Sequence, residues 1–193
     1  MRVFLALPLH GPARHAAARV QAVWRREWPG DAVRWVAPEN FHLTLRFIGD
    51  VPEAMIEPIA LGLQHAVAGC EPIPVALDRA GAFPRLDRPA VLVLAAPVPG
   101  ALSEVVERLD ASLRSLGLGA RDRPFRLHLT LGRVKDRGHP GPPAVRPCPE
   151  PEIVSWLADR VVLFRSFTDP SGPRYVVLHE AKLDLAPGSP RGA

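Results

Sequence analysis

Cysteine and lysine are almost missing from this 193-residue chain. Cys70 and Cys148 are the only cysteines, with no metal-type spacing. They point to a reducing compartment and to no disulfide framework. Lys135 and Lys182 are the only lysines, so the formal charge of +4 rests on arginine. Arginine bonds phosphate bidentately, which suits a phosphate-rich partner. A compositional bias toward Ala, Pro, Gly and Arg accounts for the same charge without one. No apolar run approaches the length of a membrane span. The run from Val3 to Leu9 is short, contains Pro8 and is followed by Arg14 and Arg19. It reads as a first strand rather than a signal segment, which places the protein in the cytoplasm. Hydrophobic residues make up 47%, enough for a core in one domain or in two joined lobes.

What the chain does have is one phrase said twice: His42-Leu43-Thr44-Leu45 and His128-Leu129-Thr130-Leu131. Each reads as a strand. Side chains alternate faces along a strand, so His and Thr share one face and the two Leu share the other. The Leu face can be buried while the His/Thr face opens into a groove. A single copy is no more than a good strand. Two identical copies point to a site.

The surroundings of the phrase repeat as well. Val3 to Leu7 reads as a buried strand and Pro12 to Trp28 as a helix, stopped at Pro29-Gly30-Asp31. A short stretch from Val33 to Val36 leads into the first HLTL strand, which runs to Ile48. Pro52 opens a second helix over 53–68, and Ile73 to Leu77 reads as a strand. At Val91 the order begins again, with a strand to Ala95 and a helix over 100–116. Gly117 and Gly119 stop that helix, and a basic loop, Arg121 to Arg126, leads to the second HLTL. Strand, helix, stop, loop and HLTL thus occur twice, which predicts two similar α+β lobes about a pseudo-two-fold axis. Beyond them, Lys135 to Pro151 is a Pro- and Gly-rich loop, and 152–158 suggests a helical turn. Two strands, 159–164 and 175–183, join through a hairpin loop at 169–173. The domain is expected to span 1–185, with a disordered polar tail over 186–193.

In-line displacement at phosphorus wants a base on one side and an acid on the other. Two histidines across a pseudo-two-fold axis meet that demand. Their ordinary pKa near 6.5 lets one be neutral and one protonated near neutral pH. The Thr44 and Thr130 hydroxyls can donate to non-bridging phosphate oxygens. Arg46, four residues after His42, shares the His face of a regular strand. Arg133, five after His128, has the wrong parity and reaches the groove only if the strand ends or twists. Trp35 and Phe83 lie near strand ends, where they either stack on a base or pack in the core. A catalytic zinc site needs about three protein ligands, and neither HLTL has a further ligand at suitable spacing, so no metal and no cofactor are expected.

Paired His-x-Thr motifs on a duplicated scaffold resemble the 2H phosphoesterase superfamily. The likeness is greatest to the RNA 2′,3′-cyclic phosphodiesterases, also called 2′-5′ RNA ligases. It covers nearly the whole chain to about Leu185. It includes Arg2 to Leu7, Trp35 to Gly49, Gly81 to Pro84, Pro124 to Val134, Leu163 to Ser166 and Gly172 to Tyr175. The resemblance implies a bilobal α+β fold with antiparallel sheets lining a central cleft and helices outside. It also implies His42 and His128 as the catalytic pair, with His42 assigned as proton donor and His128 as acceptor; the pseudo-symmetry allows the reverse. Thr44, Thr130 and Arg133 would hold phosphate. The implied reaction is metal-independent hydrolysis of a terminal 2′,3′-cyclic phosphate to a 2′-phosphate, with 2′-5′ ligation at the same site. The implied partner is RNA with such ends, tRNA fragments among them, met by a monomer. Val93 departs from the family, whose members often carry Trp there. The alternative is a nucleotide- or RNA-binding module that keeps the cleft without catalysis.

Overall fold

A strand apolar on both faces, β1 (Arg2–Pro8), is buried from Val3 to Leu7 because it lies inside a sheet with something packed on each side. The structure is a computed structural model that describes residues 1–28, 30–85, 87–135, 153–169 and 172–184. The Pro-rich 136–151 segment and the 186–193 tail lie outside those residues.

The chain then forms helix α1 (Gly11–Glu27), β2 (Val33–Trp35), β3 (His42–Asp50) and helix α2 (Ile56–Val67). β4 (Ile73–Leu77), β5 (Arg79–Arg85), β6 (Arg88–Ala95) and helix α3 (Gly100–Ser115) come next. β7 (His128–Val134), β8 (Val154–Ala158), β9 (Arg160–Asp169) and β10 (Gly172–Lys182) complete it. The first lobe is a sheet in the order β10-β9-β1-β3. The second is β2-β7-β6-β5, and a two-stranded ribbon pairs β4 with β8. All pairings are antiparallel.

β6 and β7 repeat β1 and β3, and β5 borders β6 as β9 borders β1. Yet β5 comes after the first repeat in sequence and β9 after the second. Each repeat therefore lends a strand to the other lobe. The two-lobed α+β architecture with antiparallel sheets is the one the duplication predicts.

Two segments differ from expectation. The suggested helical turn at 152–158 contains strand β8, whose partner β4 is far away in sequence, with Val75 opposite Trp156. Long-range pairing overrides local preference here. Ala80 to Pro84, to which the sequence assigned no element, is part of β5, hydrogen-bonded to β6.

Apolar stripes on the helices cover the outer faces. Ala13, Ala16, Ala17, Val20 and Trp24 are buried from α1, and Leu102, Val105, Val106, Leu109 and Leu113 from α3. Their spacing of three and four keeps them on one side of each helix. At Gly62, where α2 meets α3, a Cβ would collide with Ser112 Oγ, so glycine sets the closeness of that approach.

Candidate active site

Both HLTL phrases place Leu inward and His and Thr toward the space between the lobes. Leu43, Leu45, Leu129 and Leu131 are at most 1% exposed, while His42, Thr44, His128 and Thr130 are half-buried. β3 and β7 contact each other across the pseudo-axis, which brings the motifs together.

The two histidines are anchored in the same way. His42 Nδ1 lies 2.7 Å from the Asn40 carbonyl, and His128 Nδ1 lies 2.8 Å from the Arg126 carbonyl. A carbonyl only accepts, so each Nδ1 carries the proton and donates. Each Nε2 is then left to accept a proton when neutral or to give one when charged. Burial is the largest influence on both imidazoles and lowers both pKa values; the backbone carbonyls pull the other way. The positive charge of Arg133 lowers both further, and that of His128 lowers His42. Arg133 is thus within electrostatic reach of both histidines, and they are within reach of each other.

Strand parity would have kept Arg133 out of this space, and a β-bulge puts it there. Val93 lies opposite Thr130 but Leu92 lies opposite Gly132, so Leu131 is an extra residue in β7. A bulge shifts every later side chain to the other face. Arg133, paired with Val91, accordingly points out with His128 and Thr130. The first repeat has the matching bulge: Ala6 lies opposite Thr44 and Leu5 opposite Arg46, with Leu45 extra.

That bulge reverses the expectation for Arg46. It turns inward, is 7% exposed, and donates from Nη2 to the Gly119 carbonyl at 3.0 Å. Its Nη1 lies 3.7 Å from Asp110, which also takes two bonds from Arg121, at 2.6 and 3.0 Å. Arg46 holds the fold together rather than facing the cleft. Trp35 also lies off the cleft. It packs over Gly132 on the helix side, where a Cβ at Gly132 would sit 3.0 Å from the indole, and the Arg25 guanidinium lies 5.9 Å from its ring. Phe83 does reach the cleft, edge-on to the His128 ring with centroids 5.1 Å apart.

Sequence reasoning passed over several residues here. Phe4 lies 4.9 Å and Tyr175 5.1 Å, ring centre to ring centre, from His42, with Phe164 at 6.3 Å. Tyr175 is the only tyrosine, and burial raises its pKa, so at neutral pH its hydroxyl is a donor. Its signal was weak, a lone aromatic in a strand reading. Gln21 and Arg121 act from behind the sheets. Gln21 Nε2 donates to the carbonyl of Leu131 at 2.8 Å, and Arg121 Nη2 donates to that of Leu45 at 3.3 Å. Each therefore ties down the extra residue of one bulge. Val93, opposite Thr130, is 1% exposed and fills the cleft floor as Ala6 does opposite Thr44.

The Thr44 and Thr130 hydroxyls have no hydrogen-bond partner among the described residues, so both are open to a ligand. Among those residues no three His, Cys, Asp or Glu side chains gather as a metal would need. The arrangement offers two imidazole nitrogens, two hydroxyls and a guanidinium. These can move a proton on each side of an anionic group and bind its oxygens.

Known proteins share this design. The family described as LigT like Phosphoesterase matches the chain twice, over residues 7–93 and 92–175. A Thermus thermophilus protein named RNA 2′,3′-cyclic phosphodiesterase is 34% identical over 193 residues, covering 95% of this chain and 90% of the relative. One of the same name from Methanothermobacter thermautotrophicus is 31% identical over 186 residues, covering 95% and 99%. Among solved structures, TT0787 of Thermus thermophilus has a TM-score of 0.81 at 30% identity, covering 95% of this chain and 98% of that one. E. coli LigT complexed with 3′-AMP has a TM-score of 0.77 at 25% identity, covering 94% and 97%. With its fold, its doubled motif and both halves matched, this chain belongs to the LigT like phosphoesterase family of enzymes.

Proposed function

We propose that the protein hydrolyses the terminal 2′,3′-cyclic phosphate of RNA to a 2′-phosphate, without a metal, by acid and base catalysis from His42 and His128. The observation that carries this reading is the matched anchoring of the two imidazoles, with Arg133 in electrostatic reach of both. The shared name of the relatives supports the RNA substrate.

In this mechanism the cyclic phosphate lies between the motifs. Neutral His128 Nε2 takes a proton from water as its oxygen attacks phosphorus. The P–O3′ bond breaks on the opposite side, and His42 Nε2 gives its proton to O3′. The 2′-ester bond remains, and loss of the proton from His128 and regain of one by His42 reset the pair. Thr44, Thr130 and Arg133 hold the non-bridging oxygens as charge builds on them. The assignment of His42 as acid and His128 as base follows the family resemblance; the pseudo-symmetry of the site allows the reverse, and both imidazoles have an aromatic neighbour. A 5′-hydroxyl in place of water would give the 2′-5′ linkage. Phe83 flanks the terminal nucleotide beside His128. The protein acts as a monomer in the cytoplasm, on RNA ends that include tRNA fragments.

The test is product analysis on an RNA with a defined 2′,3′-cyclic end. A 2′-phosphate product, formed equally in EDTA, is expected. A 3′-phosphate product, or binding without turnover, would overturn the proposal.

A further inference from the structure

A second hollow opens beside the histidine cleft on the same lobe as His128. Its volume is about 400 Å³, and Arg34, Ala90, Val91, Arg133, Val134 and Lys135 line it. Arg34 lies directly opposite Arg133 in the pairing of β2 with β7. Residues directly opposite in a ladder project from the same face, so the two arginine side chains leave the sheet next to each other on one face.

Like charges placed opposite each other on a sheet repel and destabilise it. Relief would come from an acidic neighbour, but among the described residues neither arginine has a carboxylate partner. Lys135 differs, since its ammonium sits 2.7 Å from the Asp31 carboxylate. The unmatched charge therefore lies on Arg34 and Arg133. Arg133 faces the histidines, so the hollow continues the cleft rather than forming a separate one. Among the described residues the first lobe has no equivalent: β3 is the edge of its sheet, whereas β7 is flanked by β2.

We propose that Arg34 and this hollow form a second phosphate subsite. It holds the phosphodiester on the 5′ side of the terminal nucleotide while the cyclic phosphate lies between His42 and His128. The proposal rests on the RNA reading above. Arginine suits it because the guanidinium meets two phosphate oxygens at once. Ala90 and Val91 offer an apolar wall but no base-reading group. The subsite would therefore favour a chain over a mononucleotide without favouring a sequence.

The experiment compares two substrates, cytidine 2′,3′-cyclic monophosphate and a short oligonucleotide ending in the same cyclic nucleotide. Only the second has a phosphodiester for the hollow. At low salt the wild-type protein should favour the oligonucleotide in kcat/KM. In Arg34→Ala that preference should fall about tenfold, the worth of one charged hydrogen bond. Arg34→Gln, which keeps a polar chain on this exposed strand, should lose it similarly. In parallel, fluorescence anisotropy follows a labelled oligonucleotide ending in a 2′-phosphate. The slope of log affinity against log salt should fall by about 0.7 in Arg34→Ala, because the variant neutralises one phosphate fewer. No oligonucleotide preference in the wild type, a preference within twofold of wild type in the variants, or an unchanged salt slope overturns the subsite. Failure of the wild type to turn over either substrate overturns the cyclic-phosphate reading instead, and the salt slope then decides the subsite alone.

Discussion

Phe47 and Arg133 are the same position of the repeat with opposite chemistry. Each stands five residues after its motif histidine and just beyond its bulge, opposite Phe4 in one lobe and Val91 in the other. Phe47 is 65% exposed and lies 5.8 Å from Phe4, ring to ring. Pseudo-symmetry supplies two histidines and two threonines, and this one position makes one lobe cationic and the other aromatic.

If Arg133 holds the phosphate as charge develops, Arg133→Ala should lower kcat/KM by about 100-fold or more. Phe47→Ala should leave stability within about 0.5 kcal/mol, as for an exposed side chain that fills no core. Steady-state kinetics on a cyclic-phosphate RNA end and urea denaturation read these two outcomes. A loss under threefold in Arg133→Ala would remove it from the phosphate site.

The bulge anchors give a second prediction. Gln21 is 3% exposed, and its amide bonds both the Leu131 and the Val36 carbonyls, at 2.8 and 2.7 Å. Gln21→Ala should cost about 1–3 kcal/mol of stability through poorly satisfied buried carbonyls. It should also lower kcat, because the extra residue that aims Arg133 loses a support. Unchanged kcat in a destabilised variant would mean that the bulge holds itself.

Asp110 lies 12% exposed between two cations, Arg46 and Arg121. Asp110→Ala strands both, so a loss of about 3–5 kcal/mol is expected in denaturant unfolding. A loss below about 1 kcal/mol would show that solvent relieves the pair.

pH dependence arises from the lowered histidines. Burial keeps both below the usual value near 6.5, helped by the charge of His128 and then Arg133 at His42 and by that of Arg133 at His128. The free protein therefore holds both neutral at pH 7, while acid–base catalysis needs one protonated. The bell of kcat/KM, which reports the free enzyme, should lie on the acid side of about 6.5. A bound phosphate anion raises both histidines, so the bell of kcat should lie at higher pH. Its limbs belong to the pair rather than to either residue. Stability has the same origin. Below about pH 6.5 the unfolded chain takes up protons that the folded one still refuses, so stability is full above that value and falls as pH drops from it toward the folded values. Urea unfolding from about pH 7.5 down to about 5 should show a smaller loss for the His42→Gln, His128→Gln double variant than for wild type.

The doubled HLTL made the His and Thr placement and the two-lobed fold legible, because strand alternation and repetition survive without tertiary information. Strand alternation did not place the arginines, although the family resemblance implied Arg133. Period-two alternation put Arg46 in the groove and Arg133 outside it, and one extra residue in each strand reversed both. Nothing local marks those bulges, since Leu45 and Leu131 read as ordinary strand residues; their anchors, Arg121 and Gln21, are distant in sequence. Trp35 read as a base stack or, more readily, as core, and its packing on Gly132 places it off the cleft. Tyr175 comes to His42 from β10, a strand that has no repeat partner to announce it.

The central claim is that two histidines, one from each repeat, divide the proton transfers between them. Its most direct measurement is single-turnover cleavage of an RNA ending in a 2′,3′-cyclic phosphate by wild type, His42→Ala and His128→Ala, with and without EDTA. We expect 2′-phosphate product from wild type at the same rate in EDTA, and a loss of about 100-fold to 10,000-fold in each variant. Full activity in either variant would contradict the claim.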